Sequence, residues 1–311
     1  VPLPTSMLPF RITCVVLVLA VTLVNIGSAE SGIHPRGPRD CGDVYIAGGQ
    51  LEGYYAVFPK NTAPDEADLV YCDVSDGMLP ANSSGHRAHP KNCQDLSDTG
   101  MSESGINVVY PYAEHPESPV VVYCEQSLLG GGWTVFQRRD NYATQLDFYR
   151  SFDEYSLGFG NVGTEFWLGN DILNEITQQS VNELYVELTS FADVTKYANY
   201  KVFDIANKTA PTRPYQLTVS HYSGDAGDAL QRHNGMGFTT FDADNDLAVE
   251  DNCAVKYKGG WWYYFGYSSN LNGIYFEEGK DDVTSANWYF ISGNHESLKR
   301  IRMMTRPMKQ Q

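Results

Sequence analysis

An acidic stretch in the last third of the chain carries the side chains best suited to bind a metal ion. Carboxylates alternate with other residues at Asp242, Asp244 and Asp246. Hard oxygen ligands brought to one place are what Ca²⁺ requires. The stretch is not an EF-hand loop, because its sixth position holds Leu247 where that loop needs glycine and its twelfth holds Cys253 where it needs glutamate. A short charge run in an acidic protein is also typical of a solvated turn, so both interpretations stay open on the pattern alone.

The cysteines reveal an internal repeat. The chain has six cysteines, and the intervals Cys41 to Cys72 and Cys93 to Cys124 are both 31 residues. A shift of 52 residues, with no gap, superposes these cysteines and eight further identities: Asp43/Asp95, Gly48/Gly100, Gly53/Gly105, Val57/Val109, Pro59/Pro111, Pro64/Pro116, Val70/Val122 and Tyr71/Tyr123. The pattern indicates a duplicated unit with an extended segment, a proline turn and a β-type run ending in Tyr-Cys. Four cysteines allow three pairings, and the equal intervals favour one disulfide within each unit.

The first 29 residues have the layout of a secretory signal peptide. An apolar run of 13 residues, 14–26, follows Arg11 and precedes the small residues 27–29. A membrane span needs about 20 apolar residues, so the run is short for an anchor. Cleavage after Ala29 would remove Cys14 and leave an odd number of cysteines. We therefore predict a secreted, extracellular protein with no membrane span.

Charge and motif content restrict the function classes. Lysine and arginine number 22 against 38 aspartate and glutamate residues, which gives a net charge of −16. A protein that binds nucleic acid would carry the opposite charge, so nucleic acid is not an expected partner. The seven histidines are scattered, and the sequence has no GxSxG motif, no HExxH motif and no cluster with zinc spacing. We predict that the protein is not an enzyme.

Several segments must position the acidic stretch and the repeat. The run WTVFQRR at 133–139 predicts a buried strand, and residues 165–178 and 182–191 predict a helix followed by a strand. Residues 220–290 are rich in glycine, asparagine, aspartate and aromatic residues, which predicts organised loops. Binding sites commonly lie on such loops.

The segment between the two repeated units predicts an exposed linker. Residues 75–92 are rich in serine, glycine, proline and asparagine. Glycosylation sequons begin at Asn82, in this linker, and at Asn207. In a secretory context both are candidate glycosylation sites.

From Cys93 onward the sequence resembles the fibrinogen C-terminal domain family, which includes ficolins and tachylectins. The resemblance covers about 215 residues and rests on motifs that occur in family order: CQD at 93–95, VYC at 122–124, GGGWTVFQRR at 130–139, FYR at 148–150, GFGN at 158–161, EFWLGN at 165–170, YSGDAGD at 222–228, HNGM at 233–236, DND at 244–246, NCA at 252–254, GWWY at 260–263, SNLNG at 269–273 and RP at 306–307. It implies an α+β fold with an antiparallel sheet, short helices and a loop-rich subdomain that binds calcium and ligand. Residues 41–74 then correspond to an extra copy of the opening unit.

The resemblance implies a calcium site in the acidic stretch. Family members bind calcium through two aspartate side chains and backbone carbonyls, which here correspond to Asp244 and Asp246. This chain has one more residue between Asp246 and Cys253 than the family pattern. The candidate carbonyl donors therefore form two alternative pairs: Ala248 with Glu250, or Val249 with Asp251.

The same resemblance implies a small pocket for the acetyl group of a sugar, and here the chain departs from the pattern. Gly266 stands where ficolin-like members have the cysteine that pairs with the equivalent of Cys253, and Tyr267 stands where they have histidine. Cys253 is therefore predicted to be unpaired, either as a buried thiol or in an intermolecular disulfide. The candidate ligand-binding residues are Phe265, Gly266, Tyr267, Asp282 and Val283. The alternative is that the aromatic side chains of Phe265 and Tyr267 serve only to pack the loops.

The predicted organisation follows from these assignments. It comprises a signal peptide (1–29), a short tail (30–40), the extra unit (41–74), a linker (75–92), the fibrinogen-like domain (93–307) and a tail (308–311). The leading hypothesis is a secreted, calcium-binding, lectin-like protein that binds acetylated glycans or cell-surface glycoproteins in innate defence. The alternative is a module that binds a protein receptor or matrix partner. Residues 30–40 contain no heptad or collagen repeat, so any homo-oligomer would form through globular surfaces or Cys253.

Overall fold

The computed structural model describes residues 53–57, 68–72, 89–116 and 118–308. The chain forms two compact units, Val1–Asp73 and Val74–Gln311. The predicted signal peptide, Cys41 and Asn82 lie outside the described residues.

The described residues of the first unit form an antiparallel hairpin of β1 (Gly53–Val57) and β2 (Asp68–Cys72). Gly53 lies opposite Cys72 in this hairpin. The second unit has a hairpin of β3 (Gly105–Val109) and β4 (Val120–Glu125), in which Gly105 lies opposite Cys124. The two registers coincide under the 52-residue shift. The first unit's Cys41–Cys72 disulfide stays a prediction.

The remaining elements of the second unit are short helices and antiparallel strands. The helices are α1 (Cys93–Asp98), α2 (Phe152–Leu157), α3 (Asn170–Gln178), α4 (Cys253–Tyr257) and α5 (Tyr289–Ser292), with 3₁₀ turns at Leu128–Gly130 and Glu277–Gly279. The strands are β5 (Trp133–Arg139), β6 (Phe159–Gly160), β7 (Phe166–Trp167), β8 (Asn182–Thr189), β9 (Thr195–Ile205), β10 (Leu217–Gly224), β11 (Ser269–Asn270), β12 (Asn287–Trp288) and β13 (Arg300–Pro307). This composition is an α+β fold. None of the described helices is long and apolar enough to cross a bilayer.

A nine-stranded antiparallel sheet forms the centre of the second unit. Its main order is β10-β9-β8-β13-β5-β4-β3, and β6 and β7 pair beside β5. The strand at 133–139 is confirmed: Trp133 and Val135 are fully buried. The last strand, β13, lies between β5 and β8, and it buries Met303 and Met304. The end of the chain is therefore part of the core.

The helix predicted over 165–178 is shorter in the structure. Residues 166–167 form β7, and α3 begins at Asn170. Gly169 separates the two elements with φ of 114°, a conformation that side chains disfavour, and a Cβ there would lie 2.9 Å from the Leu157 backbone. Apolar residues recur on both sides of Gly169, at 166–168 and 172–173, so their pattern alone did not mark where the strand ends and the helix begins.

The opening unit is anchored by a cap and a disulfide. The side chain of Asn92, a residue that composition places in the linker, accepts hydrogen bonds from the N–H groups of Gln94 (2.9 Å) and Asp95 (3.2 Å) at the start of α1. Cys93 and Cys124 form a disulfide with a Cα–Cα distance of 5.4 Å. The bond joins α1 to β4, so the opening unit is closed on itself.

Strand β5 also holds the loop-rich region against the sheet. The Gln137 side-chain amide donates hydrogen bonds to Leu271 O (3.1 Å) and to Asn272 Oδ1 (3.2 Å). Arg139 is buried and donates to the carbonyls of Leu271 and Gly273. Polar side chains of a central strand thus fix the segment that follows the predicted pocket.

Candidate functional site

A buried histidine fixes both ends of the loop that contains Phe265, Gly266 and Tyr267. His233 Nδ1 lies 2.7 Å from the carbonyl of Trp262, and its Nε2 accepts from the N–H groups of Ser268 (3.1 Å) and Ser269 (3.3 Å). Since Nε2 faces donors, Nδ1 carries the proton and donates it. The loop ends are therefore held together by one side chain.

The imidazole of His233 is neutral at ordinary pH. Its side chain is fully buried, and desolvation lowers its pKa to about 4 despite the hydrogen bond to Trp262 O. The rings next to it belong to Trp261 and Tyr264. With both nitrogens engaged by the backbone, His233 is a structural clamp and not an acid or base.

The structure brings Asp244 and Asp246 together. The Asp246 carboxylate accepts from Ala248 N–H at 2.7 Å and from Cys253 N–H at 2.8 Å, while Asp244 Oδ1 accepts from Asp246 N–H at 3.2 Å. Burial raises the pKa of Asp246, and the charge of Asp244 adds to that rise. Among the described residues no lysine or arginine forms an ion pair with either carboxylate.

This arrangement fits a hard cation. Two neighbouring carboxylates that lack a basic partner would be stabilised by Ca²⁺, which prefers oxygen ligands. The described part of the chain contains no group of three His, Cys, Asp or Glu side chains placed to hold a metal. A calcium ion here would therefore need backbone carbonyls as well, from either Ala248 and Glu250 or Val249 and Asp251.

Asp242, the first carboxylate of the alternating pattern, has a different role. Its Oδ1 accepts from Phe152 N–H at the start of α2 (2.9 Å) and from the Thr240 hydroxyl (2.7 Å). These bonds tie the acidic stretch to α2. The alternating pattern alone did not distinguish this carboxylate from Asp244 and Asp246.

Cys253 is buried, and it is a free cysteine. Burial, followed by the nearby Asp246 carboxylate, raises the pKa of its thiol to about 12. The thiol is thus protonated and unreactive at neutral pH. Asn252 caps the short helix α4 that begins at Cys253, through a bond from Val255 N–H to Asn252 Oδ1 (3.0 Å).

Two of the candidate ligand-binding residues, Tyr267 and Val283, are joined by a hydrogen bond. The Tyr267 hydroxyl donates to the carbonyl of Val283 at 2.6 Å and accepts from the Asn287 amide at 3.1 Å. A Cβ at Gly266 would be accommodated, since it would make an ordinary van der Waals contact with Tyr257 Oη at 3.6 Å. Tyr267 therefore crosses the region that the resemblance assigns to an acetyl group. Sequence reasoning did not single out Asn287, which nothing local marks as a partner of Tyr267.

Asp282 and Phe265 do not take part in this contact between Tyr267 and Val283. The Asp282 carboxylate pairs with Lys280 Nζ (2.7 Å) and accepts from Thr284, and these bonds lower its pKa to about 2. Phe265 is 69% exposed. The structure thus presents Phe265 to solvent and commits Asp282 to a turn.

A backbone hydrogen bond links the acidic stretch to the aromatic loop. Leu247 N–H donates to Tyr264 O at 2.9 Å. Leu247 directly follows Asp246, and Tyr264 directly precedes Phe265. The predicted calcium loop is therefore in direct backbone contact with the loop that carries Phe265, Gly266 and Tyr267.

The predicted glycosylation residue Asn207 is exposed in the turn after β9. The Thr209 hydroxyl donates to Asn207 Oδ1 at 3.3 Å. The side-chain amide is thus accessible at the surface of the second unit.

Comparison with known proteins gives a family and several relatives. Residues 89–308 match the family model for the C-terminal globular domain of the fibrinogen beta and gamma chains. Ryncolin-4 from Cerberus rynchops is 40% identical over 222 residues, which cover 70% of this chain and 61% of that protein. Techylectin-5A from Tachypleus tridentatus is also 40% identical, over 71% of this chain and 75% of the relative. The chain thus spans about three fifths of ryncolin-4.

A solved structure shares the fold. The lamprey fibrin D-dimer, in complex with the peptide Gly-His-Arg-Pro-amide, superposes with a TM-score of 0.65 at 30% identity. The match covers 76% of this chain and 77% of that chain.

Proposed function

This chain belongs to the family of the C-terminal globular domain of the fibrinogen beta and gamma chains, and we propose that it is a secreted lectin-like protein. In this proposal it binds acetylated glycans with the support of calcium and acts in innate defence. It is a recognition protein and not an enzyme. The lectin-like relatives at 40% identity support the class of function.

The hydrogen bond from Leu247 N–H to Tyr264 O carries the calcium part of the proposal. Ca²⁺ would be held by Asp244 and Asp246 together with backbone carbonyls. It would neutralise two carboxylates that repel each other and so order the acidic loop. Through Leu247, that order reaches the loop of Phe265 and Tyr267.

Glycan binding would use the exposed ring of Phe265 and the surface beside Gly266. Sugar sites are typically apolar and aromatic surfaces with a few placed polar groups. Here the polar groups are the Tyr267 hydroxyl and the Asn287 amide. The Tyr267 hydroxyl is bonded to Val283 O. In this proposal an acetyl group would therefore bind against the Tyr267 ring.

The test is retention on an acetylated-sugar resin, with and without calcium. The full chain is compared with Asp246→Asn, which removes one proposed ligand charge, and with Asp242→Asn as the matched control. The Asp242→Asn substitution removes the same charge nearby, but the Asp242 carboxylate accepts hydrogen bonds from Phe152 and Thr240. We expect calcium-dependent retention that Asp246→Asn abolishes and Asp242→Asn preserves. Absence of calcium-dependent retention of the unmodified chain contradicts the proposal.

Secretion is part of the same proposal. The predicted signal peptide, the Cys93–Cys124 disulfide and the exposed sequon at Asn207 all suit an oxidising secretory compartment. Expression in a secreting cell should yield protein in the medium that carries a glycan at Asn207. A mass shift on deglycosylation, absent from Asn207→Gln, measures it.

A protein-binding role is the second candidate. The lamprey relative binds a peptide in its solved structure. The candidate pocket of this chain departs from the family pattern at Gly266 and Tyr267. In this alternative the same loops would recognise a protein receptor. Capture of one protein ligand that excess acetylated sugar does not displace would favour it over the lectin proposal.

A further inference from the structure

The hairpin of the first unit lacks the third strand that its counterpart has in the second unit. In the second unit, β4 pairs on one side with β3 and on the other side with β5, where Tyr123 lies opposite Val135. Strand β2 corresponds to β4 under the 52-residue shift. Among the strands that the structure describes, β2 pairs only with β1. The edge of β2 that faces away from β1 is therefore the equivalent of an edge that β5 covers in the second unit.

Neither β5 nor its counterpart in the repeat is available to β2. The counterpart of β5 under the same shift is residues 81–87, which read ANSSGHR. This sequence contains glycine, serine and asparagine and has no β-branched residue, so it predicts no strand. Strand β5 itself lies between β4 and β13 in the nine-stranded sheet. Both of its edges are therefore already paired.

Strand β2 has the composition of an interior strand. A two-stranded hairpin is at best marginally stable in water, and three or more strands are generally needed for independent stability. Natural edge strands commonly carry lysine, proline or a bulge that prevents pairing with another chain. Strand β2 reads DLVYC, and its register with β1 runs without a shift from Cys72, opposite Gly53, to Asp68, opposite Val57. It contains no lysine, no proline and no bulge, so nothing within the strand prevents a further pairing.

We propose that the first unit is a dimerisation module, in which β2 pairs with β2 of a second copy of this chain. A two-fold axis makes the two identical strands antiparallel, and it makes the same edge complementary to itself. The product is a four-stranded sheet of order β1-β2-β2-β1. In this sheet the second copy occupies the position beside β2 that β5 occupies beside β4.

This pairing gives the extra copy of the opening unit a function. Two chains joined in this way carry two recognition domains, and such bivalence strengthens binding to a surface that displays many copies of a ligand. The inference does not rest on the lectin proposal, because it concerns the association of the chains and not the ligand that they bind.

Analytical ultracentrifugation of the full chain over a concentration series tests the inference. The unmodified chain should reach twice the monomer mass as its concentration rises. Leu69→Lys adds one positive charge to each of the two paired β2 strands and should raise the dissociation constant of the dimer about tenfold or more. The matched control is Ala56→Lys, because Ala56 lies opposite Leu69 in the hairpin but belongs to β1. This control should dimerise with a dissociation constant within about threefold of that of the unmodified chain.

Three results would overturn the inference: a monomer at every concentration, a dimer that Leu69→Lys leaves intact, or equal weakening of the dimer by Leu69→Lys and Ala56→Lys. None of them bears on the lectin proposal, which resin retention tests separately. If Leu69→Lys does not fold, hydrogen exchange of the unmodified chain replaces it. Protection of the amide groups at residues 69–71 should then rise with protein concentration, and protection that does not depend on concentration contradicts the inference.

Discussion

The sheet and the loop-rich region of the second unit satisfy their backbone groups in different ways. In the sheet, neighbouring strands supply each other's hydrogen bonds, so side chains such as Val135 and Val186 are free to be apolar and buried. In residues 225–299 the fully buried side chains include His233, Asn270 and Asn272, and each bonds to the backbone of another segment.

The comparison shows what a buried loop requires. Backbone N–H and C=O groups that are removed from water and lack a strand partner need a side-chain partner instead. In the loop-rich region Cys253 is a free cysteine, whereas the opening unit has its Cys93–Cys124 bond. We therefore expect the sheet side to depend on a covalent bond and apolar packing, and the loop side on single polar side chains.

Removing the Cys93–Cys124 disulfide should have the largest effect. For the double variant Cys93→Ser/Cys124→Ser, loop entropy predicts a loss of about 4 kcal/mol in the free energy of unfolding, given the 31-residue separation. Urea denaturation under non-reducing conditions measures the loss. Cys253→Ser, which breaks no disulfide, is the control. A loss below about 1 kcal/mol would mean that packing alone holds the opening unit.

Removing the His233 side chain should cost nearly as much in the loop-rich region. His233→Ala leaves Trp262 O and two N–H groups without their partner, and we expect a loss of about 3 kcal/mol. The control is His221→Ala, on the exposed edge strand β10, with an expected change within about 0.5 kcal/mol. Hydrogen exchange at Ser268 and Ser269 would locate the effect. Equal stability of His233→Ala and His221→Ala would contradict the role of His233 as a clamp of the loop-rich region.

The clamp should also make stability depend on pH. The folded pKa of His233 is lowered to about 4, against about 6.5 in an unfolded chain. Its stabilising contribution is therefore complete above pH 6.5, and it is lost as pH falls toward 4, by roughly 3 kcal/mol in all. Urea denaturation from pH 7 to 4.5 measures this slope in the unmodified chain and in His233→Ala. The raised pKa of Asp246 gives the unfolding free energy the opposite dependence on pH. Both proteins contain Asp246, so its contribution cancels when their slopes are compared. Identical slopes would contradict the prediction.

Restoring a disulfide in the loop-rich region should have the smallest effect. Gly266→Cys places a thiol where a Cβ has room and where the family resemblance puts the partner of Cys253. After oxidation we expect a gain of about 2 kcal/mol in the free energy of unfolding. Thermal melts with and without reductant measure it, and Gly266→Ser is the matched control. If thiol titration still finds two free cysteines, the loop has moved away from the family geometry.

Local sequence patterns predicted the elements whose partners lie nearby. The strand at 133–139 follows from its own residues, and the equal cysteine spacing correctly paired Cys93 with Cys124. The helix over 165–178 was only partly predicted, because apolar residues recur on both sides of Gly169 and their spacing does not mark the start of α3. Where an element ends depends on the backbone that packs against it.

The sequence by itself determined the family, the α+β class, the hairpin shared by the two units and the aspartates that could bind calcium. Only the tertiary structure showed that Asp242 has a different role from Asp244 and Asp246, since it bonds to Phe152 and Thr240. Only the tertiary structure showed that the Tyr267 hydroxyl bonds to Val283. It also joined His233 to Ser268. The physical reason is range: periodicity and spacing encode contacts within an element, whereas a loop-rich site is built from hydrogen bonds and ring contacts between segments far apart in the chain.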